Sequence, residues 1–397
     1  MCPLRISSLC IATGLGAGQR PTLAALQAGR SALAPCTFDI ADLPIWTGEV
    51  AGLDAIQLDP RLANFDCRNN RLAEFALIQD GFEDAVADAR TRYGPRRIGL
   101  FLGTSTSGLH HVEQAYRARD PETGALPQAF DYARTHNTYA LAAYLRARLA
   151  LEGPSLVVSC ACASTAKIFG NAARMIAAGL CDAAIVGGAD TLCLTTLYGF
   201  NALGLAAPGP CRPFDAARDG ISIGEAAGFA LLERANTATS KQDVLVLGVG
   251  ESNDAYHMSS PHPEGLGAQL AMQRALASAG LAAADIDYVN LHGTATQAGD
   301  AAEDQAVFRV FGAETPCNST KGFTGHTLGA AGIVEAVFSV LAIRNDFIPG
   351  SPHTSDVDPA FRVRYQRPGA PARLRHVMSN SFGFGGGNCS VVLGRHF

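Results

Sequence analysis

Short continuous apolar runs alternate along this chain with stretches in which apolar residues recur every three or four positions. Continuous runs of about four to eight apolar residues are typical of strands buried on both faces, and the wider spacing is typical of amphipathic helices. The expected strands are Arg97–Leu102, Ser155–Ser159, Ala183–Gly187, Val244–Leu247, Tyr288–Leu291 and Ser390–Leu393. Helical spacing covers residues 72–86, 168–176 and 333–341. The alternation predicts an α/β protein with buried sheets.

The most polar stretch near the middle of the chain is Asn236–Asp243. We place a boundary there and expect two halves, residues 1–235 and 236–397. Each half contains a strand-like run, a turn of small residues and an apolar helix. Cys162 lies at this turn in the first half and His326 in the second. The similarity is one of pattern rather than of residues, and it predicts a duplicated α/β unit.

Composition narrows the class of protein. With 397 residues, 48% of them hydrophobic, the chain can bury a large core. The net charge of -5 argues against a general nucleic-acid or membrane-surface binder. The N-terminus lacks the basic start and apolar segment of a signal peptide, and we find no apolar run of about 18 residues that would span a membrane. The 11 cysteines do not form a disulfide pattern, so we expect a reduced, cytoplasmic protein.

Cys162 lies in the segment Val158–Thr165, between a predicted strand and a helix expected from Ser164 onward. A residue at a helix start faces unpaired backbone N–H groups and the positive end of the helix dipole. A free thiol titrates near about pH 8.5, and such groups stabilise its thiolate and an oxyanion beside it. Taken alone, the segment favours a small buried cysteine, the usual fate of cysteine in an apolar context.

Two histidine segments downstream favour a catalytic role for the cysteine. Asn290–Thr296 contains His292, and Ser319–Gly329 contains His326. Either histidine could be a core imidazole, but the small residues around each leave room for a ligand. Two neutral imidazoles can donate hydrogen bonds to a developing enolate. One cysteine with two histidines therefore predicts acyl-transfer chemistry.

Two other features have alternative interpretations. Cys160 and Cys162 form a Cys-x-Cys pair, but no further metal ligands lie nearby in the sequence, and strand alternation would direct the two side chains apart. The glycine-rich segment Ser379–Asn388 lacks the Gly-Lys-Ser/Thr of a phosphate loop and precedes a strand. It fits better as a tight loop that brings backbone N–H groups and the rings of Phe382 and Phe384 to a site.

With these residues described, the chain resembles a β-ketoacyl-acyl carrier protein synthase of the elongating Cys-His-His type, a member of the thiolase superfamily. The resemblance runs nearly end to end and is also carried by the segments Ala12–Gly16, Cys211–Asp215 and Gly224–Gly228. It implies a thiolase-like fold, in which duplicated halves form five layers α/β/α/β/α. It also implies a dimer, either a homodimer or a heterodimer with a related ketosynthase-like subunit.

The resemblance also implies the reaction. Cys162 would take an acyl group from the phosphopantetheine arm of an acyl carrier protein. A malonyl carrier protein would then lose CO2, with His292 and His326 stabilising the enolate. The carbanion would attack the acyl-Cys162 thioester and give a β-ketoacyl product two carbons longer. Backbone N–H groups of Cys162 and Phe384 would form the oxyanion hole, and no metal or cofactor is implied.

The remaining site residues are expected from the same resemblance. Lys321 and Glu335 would support His326, and Phe384 would gate the acyl pocket. Thr294 and Thr296 would hydrogen-bond the phosphopantetheine arm. The other expected contacts are Thr106, Phe382 and Gly385 with substrate, and Arg68 and Arg71 with the acidic carrier protein.

Departures from the family pattern bear on substrate. Cys160 stands where the family usually has Thr, and Thr106 stands where fatty-acid enzymes often have Ile. A smaller, more polar pocket wall favours a substrate other than a plain saturated chain. The chain as a whole resembles the specialised synthases of bacterial aryl-polyene and polyketide clusters as much as fatty-acid enzymes. Two alternatives remain. A degradative thiolase needs a second catalytic cysteine, and Cys389 is out of pattern. A chain-length-factor subunit normally lacks the nucleophile, although this chain can be the catalytic half of such a heterodimer.

Overall fold

The computed structural model describes residues 1–235, 239–240 and 242–395. The strands are β1 (Leu4–Thr13), β2 (Gly16–Ala17), β3 (Ala34–Pro35), β4 (Trp46–Gly48), β5 (Ile98–Gly103), β6 (Ser155–Val158), β7 (Ala183–Asp190), β8 (Ile223–Gly224), β9 (Ala226–Arg234), β10 (Val244–Asn253), β11 (Tyr288–Asn290), β12 (Pro316–Asn318), β13 (Phe347–Ile348), β14 (Arg364–Tyr365), β15 (Ala370–Pro371), β16 (His376–Phe382) and β17 (Gly387–Arg395). The helices are α1 (Gln19–Ala28), α2 (Arg68–Leu77), α3 (Phe82–Tyr93), α4 (Leu109–Arg117), α5 (Ala140–Leu149), α6 (Ser164–Ala177), α7 (Leu194–Ala202), α8 (Leu266–Ala279), α9 (Gln297–Phe311), α10 (Lys321–Thr324) and α11 (Ala331–Asn345).

Both halves of the chain repeat one strand arrangement. In the first half the strands lie in the order β6-β5-β7-β9-β1, and in the second in the order β12-β11-β16-β17-β10. In each, the first three strands are parallel and the last two are antiparallel to their neighbours. The halves join where β1 pairs with β10. The expected duplication is therefore confirmed. The predicted boundary between residues 235 and 236 borders Asn236–Ala238, which lie outside the described residues.

Helices α6 and α11 form the middle layer, because each contacts strands of both halves as well as the other helix. Helices α2, α3 and α5 cover the outer face of the first half, while α8 packs on β10 and β17 of the second. The result is the expected α/β/α/β/α layering. Every strand and helix predicted from the apolar pattern is present, except that residues 72–86 form two helices. They separate at Asp80 and Gly81, both of which have positive φ.

The middle layer contains a long, apolar helix, α11. The segment Leu328–Asn345 is long and apolar enough, by length and composition, to cross a membrane, and 89% of it is buried inside the protein. Burial from both sheets explains this composition, since a helix covered on all sides has no polar face. Glu335 lies within the segment and is itself buried.

Arg68 has a structural role in this fold. Its guanidinium makes two hydrogen bonds with Glu225, whose carboxylate is fully buried and also accepts the backbone N–H groups of Val50 and Leu192. The Arg68 side chain is only 9% exposed. The charge of Arg68 therefore neutralises a buried carboxylate, and its contact with a carrier protein stays a prediction. Arg71 is paired with Asp66 at 2.5 Å.

Replacing Arg68 with alanine should lower the free energy of unfolding by about 3 kcal/mol, because it leaves the buried Glu225 charge uncompensated. Urea unfolding followed by circular dichroism measures this loss. Arg61→Ala is the matched control, since that arginine is 88% exposed in its pair with Asp59 and should leave the unfolding midpoint unchanged. Equal midpoints for both variants would contradict the structural role.

Candidate active site

The site forms where the parallel strands of both halves end. Cys162 follows β6, His292 follows β11, and Lys321 and His326 follow β12. The loop that carries Phe384 joins β16 to β17. Carboxyl ends of parallel strands meet at one edge of a sheet, and the shared middle layer brings the edges of the two halves together.

The Cys162 thiol lies at the start of α6, as the sequence predicts, and the residue is 7% exposed. Ala161, with φ at 44°, turns the backbone so that Cys162 precedes the first helical turn. Burial raises the pKa of the thiol to about 11, while Lys321 and the backbone N–H groups of Phe384 and Cys162 oppose this rise. The expected pair of N–H donors therefore lies beside the thiol, where an oxyanion would develop.

His326 faces the thiol through Nε2, which lies 3.0 Å from Cys162 Sγ. The backbone on both sides is held by the neighbouring strand β8, since His326 N–H donates to Ser222 O and Gly224 N–H donates to His326 O. Nδ1 of His326 is buried and has no hydrogen-bond partner among the described residues. A proton on Nδ1 would be a buried donor without an acceptor, so the tautomer with N–H at Nε2 is favoured.

Lys321 supports His292 rather than His326, which corrects the sequence expectation. Its ammonium lies 3.3 Å from His292 Nδ1, also donates to the backbone oxygen of His292, and pairs with Glu335 at 2.5 Å. The three donors of the ammonium thus meet three acceptors. Because Nδ1 of His292 accepts from Lys321, its proton lies on Nε2. Burial raises the pKa of Glu335 to about 7, and Lys321 opposes the rise.

The two imidazoles converge on the thiol as neutral donors. Their ring centroids are 5.2 Å apart with an interplanar angle of 84°, and the ligating atoms of Cys162, His292 and His326 lie within 4.8 Å of one another. Burial, aided by the Lys321 charge, lowers the pKa of both histidines well below the usual value. A cysteine sulfur and two histidine nitrogens can also bind a metal ion, but both Nε2 atoms would first have to give up their protons. The tautomers favour hydrogen bonding to an oxyanion instead.

A cavity of about 510 Å³ leads to these three residues. Thr294 and Thr296 line its wall, as expected, and their hydroxyl oxygens are 2.9 Å apart. Phe382 also lines it and packs against His292 with centroids 5.9 Å apart. Phe384 packs against Phe200 at 5.7 Å on the wall near the thiol. The cavity is a mostly apolar channel with hydroxyl groups along one side, which suits an extended amide-containing arm.

Two residues expected to contact substrate lie elsewhere. The Thr106 hydroxyl donates to the buried carboxylate of Asp190, and Thr106 does not line the cavity. Gly385 uses its N–H to bond Met258 O at 2.7 Å and its carbonyl to accept from Asn253, so it shapes the loop without lining the cavity. Hydrogen bonds within the protein use the polar groups of both residues, and their contacts with substrate stay predictions.

Two functional neighbours escaped the sequence reasoning. Glu303 of α9 is buried, and its carboxylate accepts the backbone N–H groups of His292 and Gly293 at 2.7 Å each. The available signal in the sequence was the group of acids Asp300, Glu303 and Asp304 within the helical segment α9. Carboxylates are seldom fully buried without partners, so acids on a packed helix indicate hydrogen bonds to neighbouring groups. Phe200 gave no local signal, because its contact with Phe384 joins residues far apart in the sequence.

Comparison with known proteins agrees with this geometry. The family "Beta-ketoacyl synthase, N-terminal domain" matches residues 62–238, and "Beta-ketoacyl synthase, C-terminal domain" matches residues 244–355. The 3-oxoacyl-[acyl-carrier-protein] synthase 2 of Coxiella burnetii is 32% identical, with 99% of this chain and 98% of the relative covered. The protein of the same name from Rhizobium meliloti is 38% identical over 75% of this chain and 74% of its own length.

Solved structures extend the likeness over the whole chain. A ketosynthase (ApeO) in complex with its chain length factor (ApeC) from Xenorhabdus doucetiae superposes with a TM-score of 0.90 and 37% identity, covering 100% of this chain and 98% of that one. The ishigamide ketosynthase/chain length factor superposes with a TM-score of 0.89 and 29% identity, covering 100% of both chains. Through its sequence, its duplicated fold and its convergent cysteine and histidines, the chain belongs to the β-ketoacyl synthase family.

Proposed function

We propose that this chain condenses an acyl group held on Cys162 with a malonyl group carried by an acyl carrier protein, with loss of CO2, to give a β-ketoacyl carrier protein. The observation that carries the proposal is the buried cluster in which His326 Nε2 lies 3.0 Å from Cys162 Sγ and a second imidazole completes the group. A degradative thiolase would need a second cysteine here, whereas Cys389 is fully buried within β17 and does not line the cavity.

In the first half-reaction Cys162 Sγ attacks the acyl thioester of the carrier arm. A bond forms between Sγ and the carbonyl carbon, and the bond from that carbon to the arm sulfur breaks. The N–H groups of Cys162 and Phe384 hold the oxyanion, and the Nε2–H of His326 donates to the sulfur while it carries charge. The proton lost by Cys162 is balanced by the proton that the departing arm sulfur gains.

In the second half-reaction the malonyl thioester occupies the same cavity. The bond between its carboxylate and the neighbouring carbon breaks, CO2 leaves, and the electron pair forms an enolate. The Nε2–H groups of His292 and His326 donate to the enolate oxygen, which the protein shields from water. The carbanion then attacks the acyl carbon on Cys162, the thiolate of Cys162 leaves, and it takes up one proton from solvent to restore the thiol. The atoms and electrons of the two half-reactions balance without a metal or redox cofactor, so we propose that none is needed.

We further propose that the chain works beside a ketosynthase-like partner of the chain-length-factor kind, in polyene or polyketide elongation. Two similar structures, at 37% and 29% identity, are ketosynthases solved with such a factor. Strand β6 lies at the edge of the sheet and is only half-buried. Pro154 and Val158 carbonyls face β5, so by strand alternation the N–H and C=O of Val157 face outward. An unprotected edge of this kind pairs readily with another chain.

Intact-mass analysis separates the two half-reactions. His292→Ala should still gain the mass of the acyl group from an octanoyl carrier protein, but its condensation rate should fall by about 10²- to 10³-fold, the effect of losing one oxyanion donor. Cys162→Ala should gain no acyl mass. His292→Gln, which keeps an N–H donor, is the conservative control and should recover part of the rate. Acylation of Cys162→Ala would refute the assigned nucleophile.

Thiol reactivity should follow pH in a defined way. Because the pKa of Cys162 is about 11, the thiolate is a minor species at neutral pH, and alkylation by iodoacetamide should rise about tenfold per pH unit from pH 7 to pH 9. Peptide-resolved mass spectrometry measures the rate at Cys162 apart from that at the exposed Cys2. A plateau below pH 8 would contradict the neutral-imidazole site, since it would indicate an imidazolium–thiolate pair.

Edge pairing at β6 can be tested with Val157→Pro, which removes an outward N–H without removing a bond to β5. Alone or co-expressed with a chain-length-factor-like protein, the wild type should sediment as a two-chain particle and the variant as a single chain. Unchanged circular dichroism would show that the variant remains folded. A two-chain variant would place the interface elsewhere.

A further inference from the structure

Cys160 is a cysteine beside the nucleophile that the proposed reaction does not use. Its thiol is free and half-buried, and Cys160 belongs to no group of three or more metal-ligating side chains among the described residues. Its backbone N–H donates to Ser164 Oγ at 2.8 Å, and its carbonyl accepts from Ala163 N–H at 3.1 Å. Cys160 therefore lies in the tight turn that presents Cys162 at the start of α6.

The loop between β16 and β17 packs directly on this turn. A Cβ at Gly383 would lie 3.0 Å from Cys160 O and 3.2 Å from the backbone nitrogen of Cys162. Gly383 N–H donates to Gly387 O at 2.8 Å and so closes the loop. Phe384 follows Gly383, and its N–H lies beside the Cys162 thiol. The position of this N–H therefore depends on how closely the loop approaches the turn.

The sulfur of Cys160 makes a second contact between the turn and the loop. A Cβ at Gly387 would lie 2.6 Å from Cys160 Sγ and 3.6 Å from Lys167 Cε, so the sulfur and the lysine stem fill the space of a side chain. Gly387 has a φ of -72° and a ψ of 114°, a conformation that every L residue adopts. The glycine is therefore required by the lack of space and not by the backbone. Lys167 Nζ also donates to Asn388 O at 3.3 Å, which ties the start of β17 to α6.

We propose that Cys160 is a positioning residue, whose sulfur sets how closely the loop approaches the turn and thereby where the Phe384 N–H stands relative to the acyl carbonyl at Cys162. This proposal rests on the proposed function, because the N–H acts only where an oxyanion develops. The role requires the size of the sulfur and not the reactivity of the thiol. A displaced donor weakens the hydrogen bond to the oxyanion, which forms in the transition state, so the effect should appear in kcat rather than in KM.

The test is a double-mutant cycle, read as the rate of Cys162 acylation at saturating octanoyl carrier protein. Gly387→Ala adds a methyl group that meets Cys160 Sγ, so it should push the loop off the turn and lower the rate by about tenfold. Cys160→Ala leaves the space empty and should lower the rate by about fivefold. The double variant places a methyl group where the sulfur was, and it should recover to within about twofold of the wild type.

Further variants separate positioning from other roles of Cys160. Cys160→Ser keeps an atom in place of the sulfur without the thiol chemistry, and it should retain at least about half of the rate. Gly209→Ala is the matched control, because a Cβ there would meet nothing within 4 Å, and it should leave the rate and the unfolding temperature unchanged. The carrier concentration that gives half of the saturating rate should stay within about twofold of the wild type in every variant.

A double variant no faster than Gly387→Ala, or a Gly387→Ala variant as fast as the wild type, would overturn the positioning role. If circular dichroism shows that Gly387→Ala does not fold, the two variants at Cys160 decide the question. Equal rates in Cys160→Ala and Cys160→Ser would then overturn the positioning role, since the two side chains differ in the atom that fills the space. Absence of acylation in the wild type would instead overturn the proposed function, and the positioning role with it.

Discussion

The contact between helices α6 and α11 is the constraint on which the site depends. A Cβ at Gly332 would lie 2.5 Å from the backbone nitrogen of Ala166, so the two helices touch at their first turns. The Thr165 hydroxyl bridges them, since it donates to Gly329 O at 2.6 Å and accepts from Ile333 N–H at 3.0 Å. Cys162 precedes one helix and His326 precedes the other. Their contact therefore sets the distance between thiol and imidazole, which are 164 positions apart in sequence.

Duplication explains why two helices of different halves can meet in this way. Each half provides a parallel strand, a turn and a helix, and stacking the halves puts both helices in one shared layer. Helix α11 is buried on nearly every side and is apolar, whereas α6 also presents Lys167 and Arg174, which pair with Glu251. The catalytic cysteine and histidine lie just before the two helix starts, where backbone N–H groups and strand ends supply partners. The catalytic side chains therefore lie at an edge of the core where backbone groups can hydrogen-bond them.

Burial also determines the electrostatics of the site. Desolvation keeps both histidines neutral and the Cys162 thiol mostly protonated, while the single ammonium of Lys321 offsets the buried carboxylate of Glu335. A neutral, dry site strengthens hydrogen bonds to a transient oxyanion, because water does not compete for the donors.

The sequence by itself determined the alternating strands and helices, the duplicated pattern, and the cysteine and two histidines. These follow from local periodicity and from motifs contained within about ten residues. It did not determine that Lys321 bonds His292, that Arg68 neutralises Glu225, or that Thr106 is turned toward Asp190. Each of these contacts joins residues far apart in the chain. A polar side chain bonds the nearest buried partner available after folding, and only tertiary packing decides which partner that is.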